Sequence, residues 1–169
     1  MQRSSVAGLP YNFQVLFVWL DYYGRGKNSI CFGAIARAWR QVVVACNLLG
    51  IESADQLSRD PLAGGLAENF AITEYMKSRW NRGRDARIHF CRDRHGSEVD
   101  LLISKGNKLV PVEIKSASTF TASHIKGIRK FSSLAGDRVA ERYLVFNGDD
   151  RGTVEGVEML GFEDMAKLG

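Results

Sequence analysis

Residues Glu98–Lys115 read EVDLLISKGNKLVPVEIK, and this stretch decides the fold. Side chains alternate between the two faces of a strand. In Glu98–Ile103 one face is Val99, Leu101 and Ile103, and the other is Glu98, Asp100 and Leu102. In Leu109–Lys115 the apolar face is Val110, Val112 and Ile114, and the opposite face carries Leu109, Pro111, Glu113 and Lys115. Ser104-Lys105-Gly106-Asn107 signals a tight turn between the two runs. A β-hairpin is expected, with its charges gathered on one face. A two-residue turn at Lys105-Gly106 sets Asp100 across from Pro111. Glu113 is then its diagonal neighbour, with Cβ atoms roughly 7 Å apart.

Two carboxylates at that spacing suit one small divalent cation. Mg²⁺ takes one or two carboxylates, keeps several waters and binds substrate phosphate oxygens. Asp100, Glu113, Lys115 and an upstream Glu68 are the expected catalytic residues. Asp100, Glu113 and Glu68 are the expected ligands of Mg²⁺ or Mn²⁺. Glu68 shares a helical row with Ile72, Tyr75 and Met76, so it is the glutamate expected to turn inward, where Glu74 has no such row. Lys115 follows Glu113 on the same face, placed to orient an attacking water or a phosphate, with its own pKa lowered. An isolated E-x-K is usually a solvated strand face. The shared face, the short turn and the upstream helix together single this one out.

Working outward, Gly64-Gly65 precede a helix expected from Leu66 to about Trp80. Asn81–Asp85 reads as a loop, Arg87–Cys91 as a strand and Arg92–Ser97 as a polar turn. Thr121–Ala135 reads as an amphipathic helix with Ile125, Ile128, Phe131 and Leu134 on its buried side. Arg142–Asn147 and Val154–Leu160 read as strands, and Phe162–Leu168 as a closing helix. The order is helix, strand, strand, strand, helix, strand, which is an α/β class with a mixed α+β sheet. Ser53-Ala54-Asp55 is a helix cap signal before Pro61.

The whole chain is 169 residues with net charge +4 and pI about 9.1, mildly basic and compatible with a polyanion partner. The basic side chains concentrate between Lys77 and Arg94. Cys31, Cys46 and Cys91 make no C-x-x-C pair and read as thiols in a reducing compartment. No apolar run reaches the roughly 18–20 residues of a membrane span. Phe13–Leu20 reads as a buried element rather than a signal peptide, so a cytoplasmic location without membrane attachment is expected. His89, His95 and His124 show no ligand spacing. Trp19, Trp39 and Trp80 are expected in the core or an interface, and Ser116, Ser118 and Thr119 in a turn.

Three runs carry a family resemblance: Gly65–Phe70 (GLAENF), Phe90–Asp100 (FCRDRHGSEVD) and Val112–Ser116 (VEIKS). They resemble the C-terminal domain of unknown function of bacterial and archaeal AAA-type ATPases, over about residues 46–148. That domain is similar to the PD-(D/E)XK nuclease-like superfamily. The resemblance implies a restriction-endonuclease-like core over 61–169. It makes Glu68 the helix glutamate, Asp100 the motif aspartate, and Glu113 and Lys115 the E-x-K pair. It also implies a parent protein with an ATPase module, hence an AAA ATPase partner. The chain departs from that pattern upstream. The string nearest to a P-loop, Asp21–Asn28, lacks the first glycine and the final Ser/Thr. Residues 1–60 read as a divergent or remnant segment, with 1–45 read as a divergent or frame-altered remnant.

Three readings of function follow. The first is a metal-dependent nuclease. Arg82, Arg84, Arg92, Arg94, Lys126, Arg129 and Lys130, with Arg79 and Arg87, would contact phosphates without reading sequence. The second is a non-catalytic docking or nucleic-acid-binding module of an AAA ATPase system. The third is a truncated remnant of such an ATPase.

Overall fold

The structure is a computed structural model that describes residues 44–92 and 98–168. All of them belong to one compact unit, Cys31–Gly169. The expectations for residues 1–43, for Trp19 and Trp39, and for Arg94 and His95 lie outside the described residues.

Ser53 caps helix α1 (Ala54–Arg59), which follows a helical stretch over 44–48; the Ser53 side chain accepts the Gln56 N–H at 3.2 Å. Helix α2 (Ala63–Asn81) starts earlier than the sequence suggested. Gly64 and Gly65 fall inside its first turn, where free amides lessen their cost. Then come β1 (Ile88–Arg92), β2 (Glu98–Lys105) and β3 (Lys108–Lys115). A 3₁₀ turn (Ala122–Ile125) leads into α3 (Lys126–Ala135), followed by β4 (Tyr143–Phe146). The chain continues through β5 (Gly152–Val154), β6 (Val157–Leu160) and a closing 3₁₀ helix (Phe162–Leu168). No described helix is long and apolar enough to cross a membrane.

The strands form one six-stranded mixed sheet in the order β1-β2-β3-β4-β6-β5. β1, β2 and β3 are antiparallel neighbours, β4 runs parallel to both β3 and β6, and β5 is antiparallel to β6. The α/β class and the element order therefore stand as expected. Val154–Leu160 is not one strand but a hairpin. Glu155 and Gly156 take φ of 51° and 75°, the two positive values of a type I′ turn.

The central hairpin has the expected parity but a different register. Its turn is Gly106-Asn107, with Lys105 paired to Lys108 and Leu102 to Pro111. Gly106 has φ of 63°, the positive value that a type II′ turn needs at its first central position. Asp100 thus lies just beyond the last ladder pair, Leu101 with Val112, and the register continued one step sets it opposite Glu113.

Paired strand residues share a face, so Leu144 and Phe146 of β4 stand beside Glu113 and Lys115. Leu144 and Phe146 form a core cluster with Ile125, Ile128, Val157 and Met159. The acidic face of the hairpin is therefore the face under α3, not an open one. Ile125 and Ile128 are fully buried, yet Leu134 is 77% exposed, against expectation. At 3.6 residues per turn, each three-residue step slips about 60° around the helix. Three such steps carry Leu134 to the side opposite Ile125. Trp80, expected in the core or an interface, is 43% exposed at the end of α2 and so is not part of the core.

Ile128→Ala should destabilise the fold by about 2–5 kcal/mol in urea unfolding. Leu134→Ala should stay within about 0.5 kcal/mol. Equal costs would contradict this packing.

Candidate functional site

Asp100 stands where the β2–β3 ladder gives out. Its Oδ2 accepts the backbone N–H of Ile114 at 2.8 Å, so the carboxylate takes the place of a ladder carbonyl. The same oxygen accepts from Lys115 Nζ at 3.2 Å. Lys115 Nζ also lies 2.7 Å from Glu113 Oε1. The Asp100 and Glu113 side chains are 7% and 9% exposed, while Lys115 keeps 31%. One half-exposed ammonium thus bridges two buried carboxylates.

Glu113 Oε2 is buried and has no hydrogen-bond partner. Gly127 of α3 lies against it. A Cβ there would come within 3.3 Å of Oε2 and 2.5 Å of the Glu98 carbonyl oxygen. The helix can approach the acidic face this closely because position 127 has no side chain.

Burial first, then the Asp100 charge, pushes the Glu113 carboxyl up to about 7. Glu68 of α2 is also pushed up to about 7, by burial first and then by Asp100. Lys115, Glu98 and Glu113 act on Glu68 as well, which places it within the electrostatic field of the pair. Burial pulls the Lys115 pKa down, but attraction to Asp100 and Glu113 outweighs that and the net shift is upward. The expected lowered lysine is therefore not what the geometry produces. Two carboxylates on one ammonium hold its proton more firmly than water does.

The structure brings Asp100, Glu113 and Lys115 together and sets Glu68 within their field. Among the described residues, no group of three or more His, Cys, Asp or Glu side chains is gathered closely enough to hold a metal ion. A pair suffices for Mg²⁺, which completes its shell with water and phosphate. An orphaned carboxylate oxygen beside a glycine fits such an ion.

The basic residues are more dispersed. Arg82, Arg84, Arg92, Lys126, Arg129 and Lys130 are all exposed. Arg92 lies 3.7 Å from Glu98, and Arg129 pairs with Glu155 at 2.8 Å. Arg129 and Lys130 line an open groove of about 550 Å³ with Arg142, Ser132, Ser133 and Glu155, which does not include Asp100, Glu113 or Lys115. The sequence reading missed two residues at the site, Gly127 and His124. Gly127 carries a signal, since a glycine inside a helix costs stability without a packing reason. His124 carries none, because the crossover after β3 is what brings it within the field of the Lys115 charge.

The pH dependence follows from the raised carboxyls. A Glu with a folded pKa above its unfolded value contributes stability that is present below about 4.5 and lost as pH rises through about 7. In EDTA, Glu113→Gln should gain stability relative to the parent chain between pH 5 and pH 8. Urea unfolding at the two pH values reads this directly, and a constant difference would contradict the buried pair.

A protein-family model for a domain of unknown function, DUF4143, matches residues 63–164. The match opens at the first residue of α2 and closes in the final 3₁₀ helix, so it contains Glu68, Asp100, Glu113 and Lys115. No curated protein matches the chain. The chain belongs to the DUF4143 family.

Proposed function

We propose that the domain is a restriction-endonuclease-like, PD-(D/E)XK-type module for metal-dependent hydrolysis of phosphodiester bonds in nucleic acid. The observation that carries this reading is the buried Asp100–Glu113 pair, whose counter-charge is Lys115 and whose Oε2 has no partner. Asp100 and Glu113 would hold Mg²⁺ or Mn²⁺. When bound, the cation would supply Lewis acidity and a more acidic water. Lys115 would orient the scissile phosphate. Glu68, half-protonated near neutral pH, is suited to take a proton from the attacking water. Arg82, Arg84, Arg92, Arg94, Lys126, Arg129 and Lys130 would contribute phosphate contacts without reading bases. The free thiols of Cys46 and Cys91 suit a reducing cytoplasm.

One observation favours a second reading, a non-catalytic module working with an AAA-type ATPase. Asp100 accepts the Ile114 amide and so closes the hairpin, a structural task that needs no cation.

A cleavage assay on labelled single- and double-stranded DNA and RNA decides between them. With Mg²⁺ or Mn²⁺, Asp100→Ala and Lys115→Ala should each lower cleavage at least about 100-fold, the order seen when a preorganised charge is removed. Cleavage untouched by both substitutions removes the proposed site. Metal-independent binding with no cleavage supports the docking reading. Arg84→Ala should weaken binding about equally across sequences and lower the salt slope by about one.

A further inference from the structure

Three elements converge at the end of the sheet away from the carboxylate pair. β3 and β4 run parallel, with Lys115 paired to Phe146. Arg142 precedes Phe146 by four residues, so it enters about 13 Å down the sheet from the level of Lys115, at about 3.3 Å per residue. There it meets α3 and the turn between β5 and β6 in the open groove of about 550 Å³ lined by Arg129, Lys130, Ser132, Ser133, Arg142 and Glu155. The lining carries three cationic side chains against one carboxylate, a balance that suits an anion.

The donors of the groove are held in place. Arg129, Ser132 and Ser133 are three and four residues apart, so they share one face of α3. Arg142 is half-buried, and its Nε donates to Ser132 Oγ at 2.9 Å. A hydroxyl that accepts still has its own proton to give. Gly156 of the β5–β6 turn adjoins the same guanidinium, since a Cβ there would stand 3.9 Å from Arg142 Nη1. With Nε committed to the serine, the Nη fork is the part of Arg142 that can meet a planar or tetrahedral oxyanion.

The groove already holds an anion of its own. Glu155 Oε2 lies 2.8 Å from Arg129 Nη1, with both side chains about half exposed. Glu155 takes its place in the β5–β6 turn at a φ of 51°. The central positions of a type I′ turn belong mainly to Gly, Asn and Asp, which tolerate that backbone. A glutamate is not what the turn alone favours. Its side chain is one methylene longer than that of Asp or Asn, and it is this longer carboxylate that reaches across to Arg129.

We propose that this groove is a phosphate-binding site separate from the carboxylate pair, with the Glu155 carboxylate as its tethered resting occupant: an arriving phosphate group takes the Arg129 and Arg142 guanidiniums and displaces Glu155. A phosphate brings more oxygens and, as a dianion, more charge than a carboxylate, and the Ser132 hydroxyl can donate to it as well. Glu155 sets the threshold for entry. A single weak anion gains little by replacing it, whereas a phosphate dianion or a run of phosphodiesters does. The site needs no cation at Asp100 and Glu113 and stands apart from the cleavage reading.

Titration calorimetry of the full chain with inorganic pyrophosphate tests this, at low ionic strength and without added metal. Glu155→Gln keeps the side-chain length and removes the charge. It should tighten binding about three- to fivefold, the upper range of what an exposed ion pair holds back. Asp55→Asn is the control, because it removes the same charge from a like pair on α1, Arg59 with Asp55 at 3.0 Å. It should leave the affinity within about 1.5-fold, as expected for a screened charge outside the groove. Arg142→Gln should weaken binding about tenfold, the loss of a hydrogen bond from a charged donor. Circular dichroism checks that each variant is folded, and the Glu155→Gln arm stands even if Arg142→Gln is not. No gain in Glu155→Gln, or an equal gain in Asp55→Asn, overturns the tethered occupant. Parent affinity in a folded Arg142→Gln, or no pyrophosphate binding by either the parent or Glu155→Gln, overturns the site. Fluorescence anisotropy with a labelled single-stranded oligonucleotide then separates the sources of phosphate. A Glu155→Gln gain on the oligonucleotide as well assigns the groove to a nucleic-acid backbone, and a gain confined to pyrophosphate assigns it to a small phosphate ester.

Discussion

The Lys115 ammonium lies between the carboxylates of Asp100 and Glu113, and the rest of the site depends on that arrangement. Two carboxylates with less than a tenth of their surface exposed repel one another and lose hydration. A single cation relieves both costs, and Lys115 is close enough to both to serve. The relief is incomplete. Glu113 still rises to about 7, and Glu68 joins it at about the same value. Glu68, Asp100 and Glu113 together present more carboxylate than one lysine balances. The site is electrostatically unfinished in a way that a divalent cation would complete.

The fold builds this deficit in a definite place. β3 is the strand where an antiparallel hairpin meets a parallel neighbour, and Glu113 and Lys115 lie at its C-terminal end. In open α/β sheets ligands gather outside the carboxyl ends of strands. The chain leaves β3 through the 3₁₀ turn and returns as α3 across the acidic face. Gly127 lets the helix close down on Glu113, and the same path brings His124 within the field of the Lys115 charge. The burial that raises the Glu113 pKa and the placement of the histidine therefore both come from one crossover.

Much of this was legible in the residues. Alternation along Glu98–Lys115 set both strands and the shared face of Asp100, Glu113 and Lys115, because strand parity survives a register shift of two. The register itself was not legible. Gly106 can occupy either central position of a turn, and only the observed pairing of Lys105 with Lys108 puts Asp100 level with Glu113. The row Ile125, Ile128, Phe131, Leu134 misled because a strict three-residue spacing precesses around an α-helix. The hairpin at Glu155-Gly156 was hidden because a glutamate at positive φ is uncommon. The burial of the acidic face could not be read from a strand alone, since it comes from α3, packed across the crossover. The direction of the Lys115 shift depends on the same packing.

The measurement that bears most directly on an unfinished carboxylate pair is Mg²⁺ titration calorimetry of the parent chain and of Asp100→Asn near pH 6.5, in two buffers of different ionisation enthalpy. At that pH the raised carboxyls of Glu113 and Glu68 still hold part of their protons. The account predicts binding by the parent chain with proton release, so the observed heat differs between buffers, and markedly weaker binding by Asp100→Asn. Binding without proton release, or equal binding by both chains, would contradict it.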